Sequence, residues 1–249
     1  MSSPPARGAT PPGAAGEQDA ARWVRGMFGR VAHRYDLLNH LLSLNIDRYW
    51  RARTVRRLRP VLRRPAAAVL DICCGTGDLL LALEAERGGP VLGSDFCHPM
   101  LLAARRKVAR RHLSSVLVEA DALSLPLPDA SLDLITAAFG FRNLANYQKG
   151  LAEMRRVLKA GGAAAILEFS QPDNPVLAAL YNLYSEKVLP FVGGRLSGDR
   201  NAYRYLPDSV RRFPTSEQLA GAMRAAGFAR VEFERMTGGI VALHVGYTL

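Results

Sequence analysis

Asp71, Asp95 and Asp121 are the residues in which chemistry can first be read. Each closes a short, largely apolar run: Ala66 to Leu70, Pro90 to Ser94 and Val116 to Ala120. After the first lies C73-C-G-T-G-D78. Gly75 and Gly77 permit backbone angles and a close approach that a Cβ would block, and Asp78 is placed to cap a helix over Leu79 to Glu86. A strand, a glycine turn and a helix meet in this way at the edge where open α/β sheets bind nucleotides, and a carboxylate about 20 positions beyond the turn can take ribose hydroxyls. Singly these signals are weak, because Asp is common at strand ends and a glycine turn needs no ligand. Their repetition in three successive strand–helix units carries the inference.

Two ligands fit that layout. A nicotinamide cofactor wants a third glycine, which packs helix on strand, and a helix N-terminus open to pyrophosphate. Leu80 occupies that third position, and Asp78 would repel pyrophosphate. S-adenosylmethionine carries a cationic sulfonium and no phosphate, so charge favours it in an acidic pocket. Asp71, Gly75, Thr76, Gly77, Asp95, Asp121, Ala122 and Ala138 are the expected cofactor-binding positions. Asp95 is assigned to ribose, and Asp121 with Ala122 to adenine. A local turn-bonding role is the alternative for Asp71.

The elements that must hold these residues follow from periodicity. The chain has 249 residues, nearly half of them hydrophobic, which suits one α/β domain. Residues 1–20, rich in Pro, Gly and Ala, lack the apolar core of a signal peptide and read as a disordered tail. Residues 21–249 form the domain: 21–64 a helical lid, 65–249 the cofactor-binding core and substrate region. Helices are expected over Gln18 to Leu44 and Asp47 to Leu62. Strands and helices then alternate from Ala67 to Phe169, which argues for a parallel sheet covered on both faces. K159-A-G-G162 reads as a helix stop. Pro175 to Leu189 is expected as an amphipathic helix, Pro190 to Pro207 as a glycine-rich loop, and Ser216 to Ala226 as a helix. Arg230 to Met236 and Ile240 to Leu249, joined by T237-G-G239, read as a closing antiparallel hairpin.

Composition narrows the partners. No apolar run reaches the ~18 residues of a membrane span. Cys73 and Cys74 are adjacent, which is not metal-ligand spacing, and with Cys97 they suit a reducing cytoplasm; no metal is expected. The net charge of +11 concentrates in Arg48 to Arg64 and Arg105 to Arg111. No nucleic-acid motif accompanies it, so the readings are a solvated helix face or peripheral contact with an anionic membrane.

V31-A-H-R-Y-D-L-L-N39, L44-N-I-D-R-Y-W50, L70-D-I-C-C-G-T-G-D-L79, F139-G-F-R-N143, L158-K-A-G-G162, L167-E-F169, Y203-R-Y-L206 and G239-I-V-A-L-H-V-G-Y247 together resemble the ubiquinone/menaquinone biosynthesis C-methyltransferases, from about Met27 to the end. The resemblance implies an α/β fold, the seven-stranded Rossmann-like class I S-adenosylmethionine-dependent methyltransferase sheet, with an N-terminal helical extension. It implies methyl transfer to a ring carbon of a polyprenyl hydroquinone. Demethylmenaquinol comes first, and 2-methoxy-6-polyprenyl-1,4-benzoquinol is the alternative. There are departures. Cys73 and Cys74 stand where the family usually has glycine or alanine, Asp121-Ala122 stands for Asn-Ala, and Ala138 replaces a common serine.

That chemistry needs a phenolate, an in-line methyl donor and a route for protons. Arg142, on the loop after the fourth strand, is the candidate for holding the phenolate, with Asn143 orienting it. Tyr35, in the lid, is the candidate for a hydrogen bond to the reacting hydroxyl. An ion pair for Arg142 and a core position for Tyr35 are the competing readings. His33 and His244 are read as structural. Phe139, Phe141 and the Pro175 to Phe191 segment are candidates to line an isoprenoid tunnel, and Tyr203, Arg204 and Tyr205 its entrance. The expected setting is the cytoplasm or the inner face of a membrane. A homodimer or a quinone-synthesis complex is the expected assembly, and a nicotinamide oxidoreductase or a non-catalytic cofactor binder is the rival reading.

Overall fold

The computed structural model of the chain describes residues 8–33, 35–188 and 200–249. Its centre is a seven-stranded sheet: β1 (Val69–Ile72), β2 (Leu92–Asp95), β3 (Val116–Glu119), β4 (Leu132–Ala138), β5 (Leu158–Phe169), β6 (Arg230–Met236) and β7 (Val241–Tyr247). The spatial order is β3-β2-β1-β4-β5-β7-β6. β1 to β5 run parallel, and β7 lies antiparallel to both β5 and β6. The order reverses beside β1, so the β1 and β4 ends open onto one crevice, the place where such sheets hold ligands.

The helices are α1 (Glu17–Val31), α2 (Tyr35–Leu42), α3 (Ile46–Leu62), α4 (Asp78–Arg87), α5 (His98–Arg110), α6 (Tyr147–Val157), α7 (Pro175–Leu183), α8 (Arg200–Arg212) and α9 (Ser216–Ala225). α3 and α4 cover one face of the sheet through Trp50, Leu58, Leu62, Leu79 and Leu83. α6 and α9 cover the other through Tyr147, Leu151, Met154, Leu219 and Met223. Both faces of β1 and most of β4 are therefore buried, which is why these strands read as largely apolar, broken by Asp71 in β1 and by Asp133 and Thr136 in β4.

Four expectations need correction. The tail expected over residues 1–20 is packed from Gly8 on: Ala9 is buried against Val24, Met27 and Tyr205, its N–H donates to the Leu144 carbonyl at 2.8 Å, and α1 starts at Glu17. The single N-terminal helix is two, parted after Val31. The apolar stripe keeps its phase across the break, so spacing alone cannot see it. The helix stop expected at K159-A-G-G162 comes just before it, at Val157; the four residues themselves belong to β5, which is irregular in register opposite Leu132 and Leu134, with Gly161 at φ +69°. Finally, α8 starts inside the loop expected over Pro190 to Pro207 and runs past its end to Arg212, with Pro207 in its interior. An interior proline costs a helix about 3 kcal/mol; burial of Tyr205, Val210 and Phe213 is what offsets it.

Candidate active site

Two chambers meet at the crevice. The first is built by the ends of β1, β2 and β4. Asp71, Gly75, Thr76, Asp95, Asp121, Ala122 and Ala138, all expected cofactor positions, line it, as do Tyr35 and Asn143. Gly77 does not. It caps α4 at φ +88°, where an added Cβ would sit 3.3 Å from Ala104, so its part is to let α4 close on α5.

Asp95 braces the glycine turn. It accepts hydrogen bonds from the Gly75 N–H at 2.9 Å and the Cys97 N–H at 2.8 Å. Asp71 accepts from the Thr136 hydroxyl at 2.6 Å. Burial pushes the Asp71 carboxyl up to about 7, against the Thr136 hydrogen bond and the nearby Arg51 charge. Burial likewise pushes Asp95 up to about 6, its backbone hydrogen bonds opposing. Burying carboxylates costs free energy that a cation in the chamber would return. The Asp121 carboxylate accepts from the Leu123 N–H at 2.9 Å and faces the same space.

Asp78 does not cap α4. It is the first helical residue, and its carboxylate pairs with Lys107 at 2.6 Å and Arg51 at 3.6 Å. Although burial opposes them, these cations hold it below the usual carboxylate range. Its charge is thus balanced by the protein. His40, Asp47 and Asp78 are, among the described residues, a group with metal-like spacing; Arg51 also pairs with Asp47, so cations already neutralise that group. Thr76 donates to Asp36 of α2 at 2.5 Å, and Lys107 reaches Asp36 at 2.7 Å. The lid helix is latched to the turn through residues to which the sequence assigned no individual role: Asp36, Arg51 and Lys107. Arg51 and Lys107 fall in the two basic runs; nothing but the lid segment marked Asp36.

Cys73 takes φ +50°, the left-handed conformation that favours glycine. Across from it, an added Cβ on Gly140 would lie 2.4 Å from the Cys73 Cβ. Burial raises both the Cys73 and Cys74 thiols, so these cysteines are packing groups and poor nucleophiles.

The second chamber is larger than the first and mainly apolar. Phe28, Tyr35, Arg51 and Phe139 form a wall common to both. Trp50 and Phe169 pack with Phe139. From α7 and the turn after it come Leu177, Leu180, Tyr181 and Tyr184. Phe141 does not line it; it is buried on the opposite face against Tyr147 and Phe213. Residues 189–191 of the expected tunnel segment, and the side chains of Tyr203 and Arg204, lie outside those described. Tyr205 lines the chamber and donates to the Asn143 side-chain Oδ1 at 3.2 Å. Burial pushes the Tyr205 phenol up to about 12.

Arg142 also lines this second chamber. Nη1 donates to Glu168 at 2.9 Å, Nε to Ser209 at 3.3 Å, and the guanidinium lies 5.4 Å over the Phe169 ring. Glu168, 1% exposed, further accepts from the Arg142 and Phe169 N–H groups. Arg142 is thus held in a buried ion pair, not a surface one. Despite burial, which opposes the charge, Glu168 keeps the guanidinium firmly protonated. Next to it, the Asn143 side-chain NH₂ is buried with no partner in a residue that lines the first chamber. A buried donor left unpaired costs about 1–3 kcal/mol, which a bound acceptor would relieve. His33 is exposed. His244 contacts the Ser216 carbonyl at 2.9 Å, and burial lowers its pKa to about 4, which fits its structural reading.

Residues 15–248 match the model of the ubiE/COQ5 methyltransferase family. The chain belongs to that family. A demethylmenaquinone methyltransferase of Thermus thermophilus is 49% identical over 88% of this chain and 99% of the relative. Another from Deinococcus radiodurans is 46% identical over 92% and 94%. The ubiquinone/menaquinone biosynthesis C-methyltransferase UbiE of Syntrophotalea carbinolica is 46% identical over 90% and 93%. Among solved structures, an S-adenosylmethionine-dependent methyltransferase of Thermotoga maritima shares the fold, with a TM-score of 0.64 at 20% identity over 90% of this chain and 99% of that one. The chain is an S-adenosylmethionine-dependent C-methyltransferase. The family's donor fits the first chamber, whose buried acids lack only a cation and whose Asn143 lacks only an acceptor.

A pH dependence follows. If Asp95 takes the ribose hydroxyls, as its spacing leads one to expect, it must be ionised to receive them with full strength, and a cation favours ionised Asp71. Donor affinity is expected to rise with pH through about 6 to 7 and level off above, with at least about tenfold weaker binding at about pH 5 than at about pH 8 from Asp95 alone, and more where Asp71 must also ionise. Calorimetric titration in two buffers of different ionisation enthalpy reads both the affinity and the released protons. A flat profile would contradict the assignment of these carboxylates.

Proposed function

We propose that this chain methylates a ring carbon of a polyprenyl hydroquinone, with demethylmenaquinol as the acceptor. The observation that carries the reading is the shared wall. A small acidic chamber suited to the donor opens, past Tyr35 and Phe139, onto a large apolar one suited to an isoprenoid. The donor supplies an electrophilic methyl group on sulfur. The residues of the chain do the rest.

Arg142 receives the developing phenolate. Nε and Nη1 are committed to Ser209 and Glu168, which fixes the plane of the fork and leaves Nη2 for the substrate oxygen. A preset donor of this kind needs no reorganisation when charge develops, and is worth about 10²–10³ in kcat. Tyr35 stands on the common wall and hydrogen-bonds the reacting hydroxyl. Asn143 turns its unpaired NH₂ to the donor side while Tyr205 holds its other end. Residues 21–64 act as a lid, latched over the glycine turn by Asp36. The ring hydroxyl proton leaves past Tyr35 and Asn143; once the carbon has taken the methyl group from sulfur, its own proton returns to the oxygen held by Arg142 and the ring is aromatic again, while the apolar wall keeps bulk water from the methyl group.

The relatives' names include both menaquinone and ubiquinone branches, so 2-methoxy-6-polyprenyl-1,4-benzoquinol is the second acceptor to offer. Labelled-methyl transfer to a short-chain naphthoquinol and to the matching methoxybenzoquinol decides between them. Label in neither product would sink the proposal. The chamber makes its own prediction. Ile240→Trp, which intrudes on it, is expected to raise KM for a long-tailed quinol about tenfold or more and leave a short-tailed one near wild type. Equal effects on both would deny the chamber its role.

A further inference from the structure

The lip of the apolar chamber is itself apolar and faces outward. On α2, α3 and the turn between them, Leu41 is 46% exposed, Leu44 74% and Tyr49 59%. On α7, Val176 is 68% exposed, Leu180 60% and Leu183 53%. Leu44 and Leu180 also line the chamber, so both sets flank one opening.

α7 is unusual in having apolar residues on two sides. Its sequence, PVLAALYNL, carries one polar side chain, Asn182, and none of its residues is buried. Leu177, Tyr181 and Tyr184 line the chamber. Val176, Leu180 and Leu183, at the same i, i+4, i+7 spacing, form the second stripe. A helix apolar on both sides belongs in a core or in lipid; here one side has the chamber, and the other faces out of the protein among the described residues. Cations flank this surface. Arg48, beside Tyr49, and Lys187, just past α7, are exposed and form no ion pair among the described residues. By contrast, Arg53, Arg57 and Arg59 of α3 are tied to Glu234, Glu232 and Glu86. Apolar side chains flanked by two exposed cations, Arg48 and Lys187, on a chain of net charge +11, match an interfacial anchor on anionic lipid.

We infer that this lip docks on an anionic bilayer, with the Val176–Leu180–Leu183 stripe and the Leu41–Leu44–Tyr49 turn set into the headgroup–acyl boundary. A long isoprenoid then passes from lipid into the chamber without crossing water. The passage rests on the quinone reading given above; the docking does not.

The test uses the full chain and vesicles of phosphatidylcholine with roughly one-quarter phosphatidylglycerol, against phosphatidylcholine alone. Wild type is expected to sediment with the anionic vesicles. Val176→Glu/Leu183→Glu, at positions that do not line the chamber, is expected to lower the bound fraction about tenfold or more. The same variant is expected to methylate a short-chain naphthoquinol at the wild-type rate. Should it fold poorly, Leu183→Trp serves instead, and its emission should shift to the blue on anionic vesicles. Three results would overturn the inference: wild type left in the supernatant, the double variant sedimenting like wild type, or a lip that dimerises in gel filtration and ignores lipid. A wild-type chain that binds vesicles but leaves both quinols unmethylated would sink the quinone reading and leave the docking standing.

Discussion

Arg142→Ala is expected to destabilise the fold and to stop turnover, and these two effects separate. The substitution leaves Glu168, 1% exposed, with a buried charge and only backbone partners. Breaking a buried pair from one side costs about 3–5 kcal/mol, visible as a lower denaturation midpoint. Removing both partners, in Arg142→Met/Glu168→Gln, takes the orphaned charge away and is expected to recover most of that loss. Turnover is not expected to recover with it. Both variants should remain about 10²–10³ slower in kcat. Donor affinity should stay within a few-fold of wild type, because Arg142 lines the acceptor chamber and not the donor's. A double variant that regains wild-type kcat would reduce Arg142 to a structural ion pair.

Asp95→Ala is expected to weaken donor binding by about 1–3 kcal/mol, or roughly 5- to 150-fold, through loss of a charged hydrogen bond. The structure adds a second consequence. Asp95 also ties down the Gly75 and Cys97 N–H groups, so the variant should lose stability even without donor. Asp95→Asn keeps one acceptor oxygen, turns an NH₂ to the other backbone N–H and gives up the charge. It is expected to recover only part of the stability lost in Asp95→Ala and still to bind the donor poorly. Titration calorimetry and a denaturant melt read the two effects apart; wild-type donor affinity in Asp95→Ala would refute the ribose assignment.

Much of the scaffold was legible because its signals are local. β6 falls on Arg230 to Met236, as expected, and α4 runs one residue either side of Leu79 to Glu86. Strand-end acids and the glycine turn converge on one cleft, as their spacing foretold. What stayed hidden depends on residues far apart in the chain. Nothing near Arg142 announces Glu168, 26 positions on, and nothing near Thr76 announces Asp36, 40 positions back. α8 was missed because glycine and proline punctuation outweighs a helix whose stability comes from burying Tyr205 and Phe213. The Gly8 to Gly16 stretch was misjudged for a related reason. Its composition resembles a solvated tail, yet it is held by the Leu144 carbonyl and by Arg212, which donates to Thr10 at 2.8 Å.

Phe28, Tyr35, Arg51 and Phe139 belong to both chambers, and that partition has a pharmacological corollary. A single compound joining a homocysteine-like nucleoside to a short prenyl chain would straddle the divide. Its halves would engage as one tethered guest, each raising the local concentration of the other. Selectivity over unrelated methyltransferases would then come from the greasy arm, since the nucleoside half docks in a cradle that the wider fold shares.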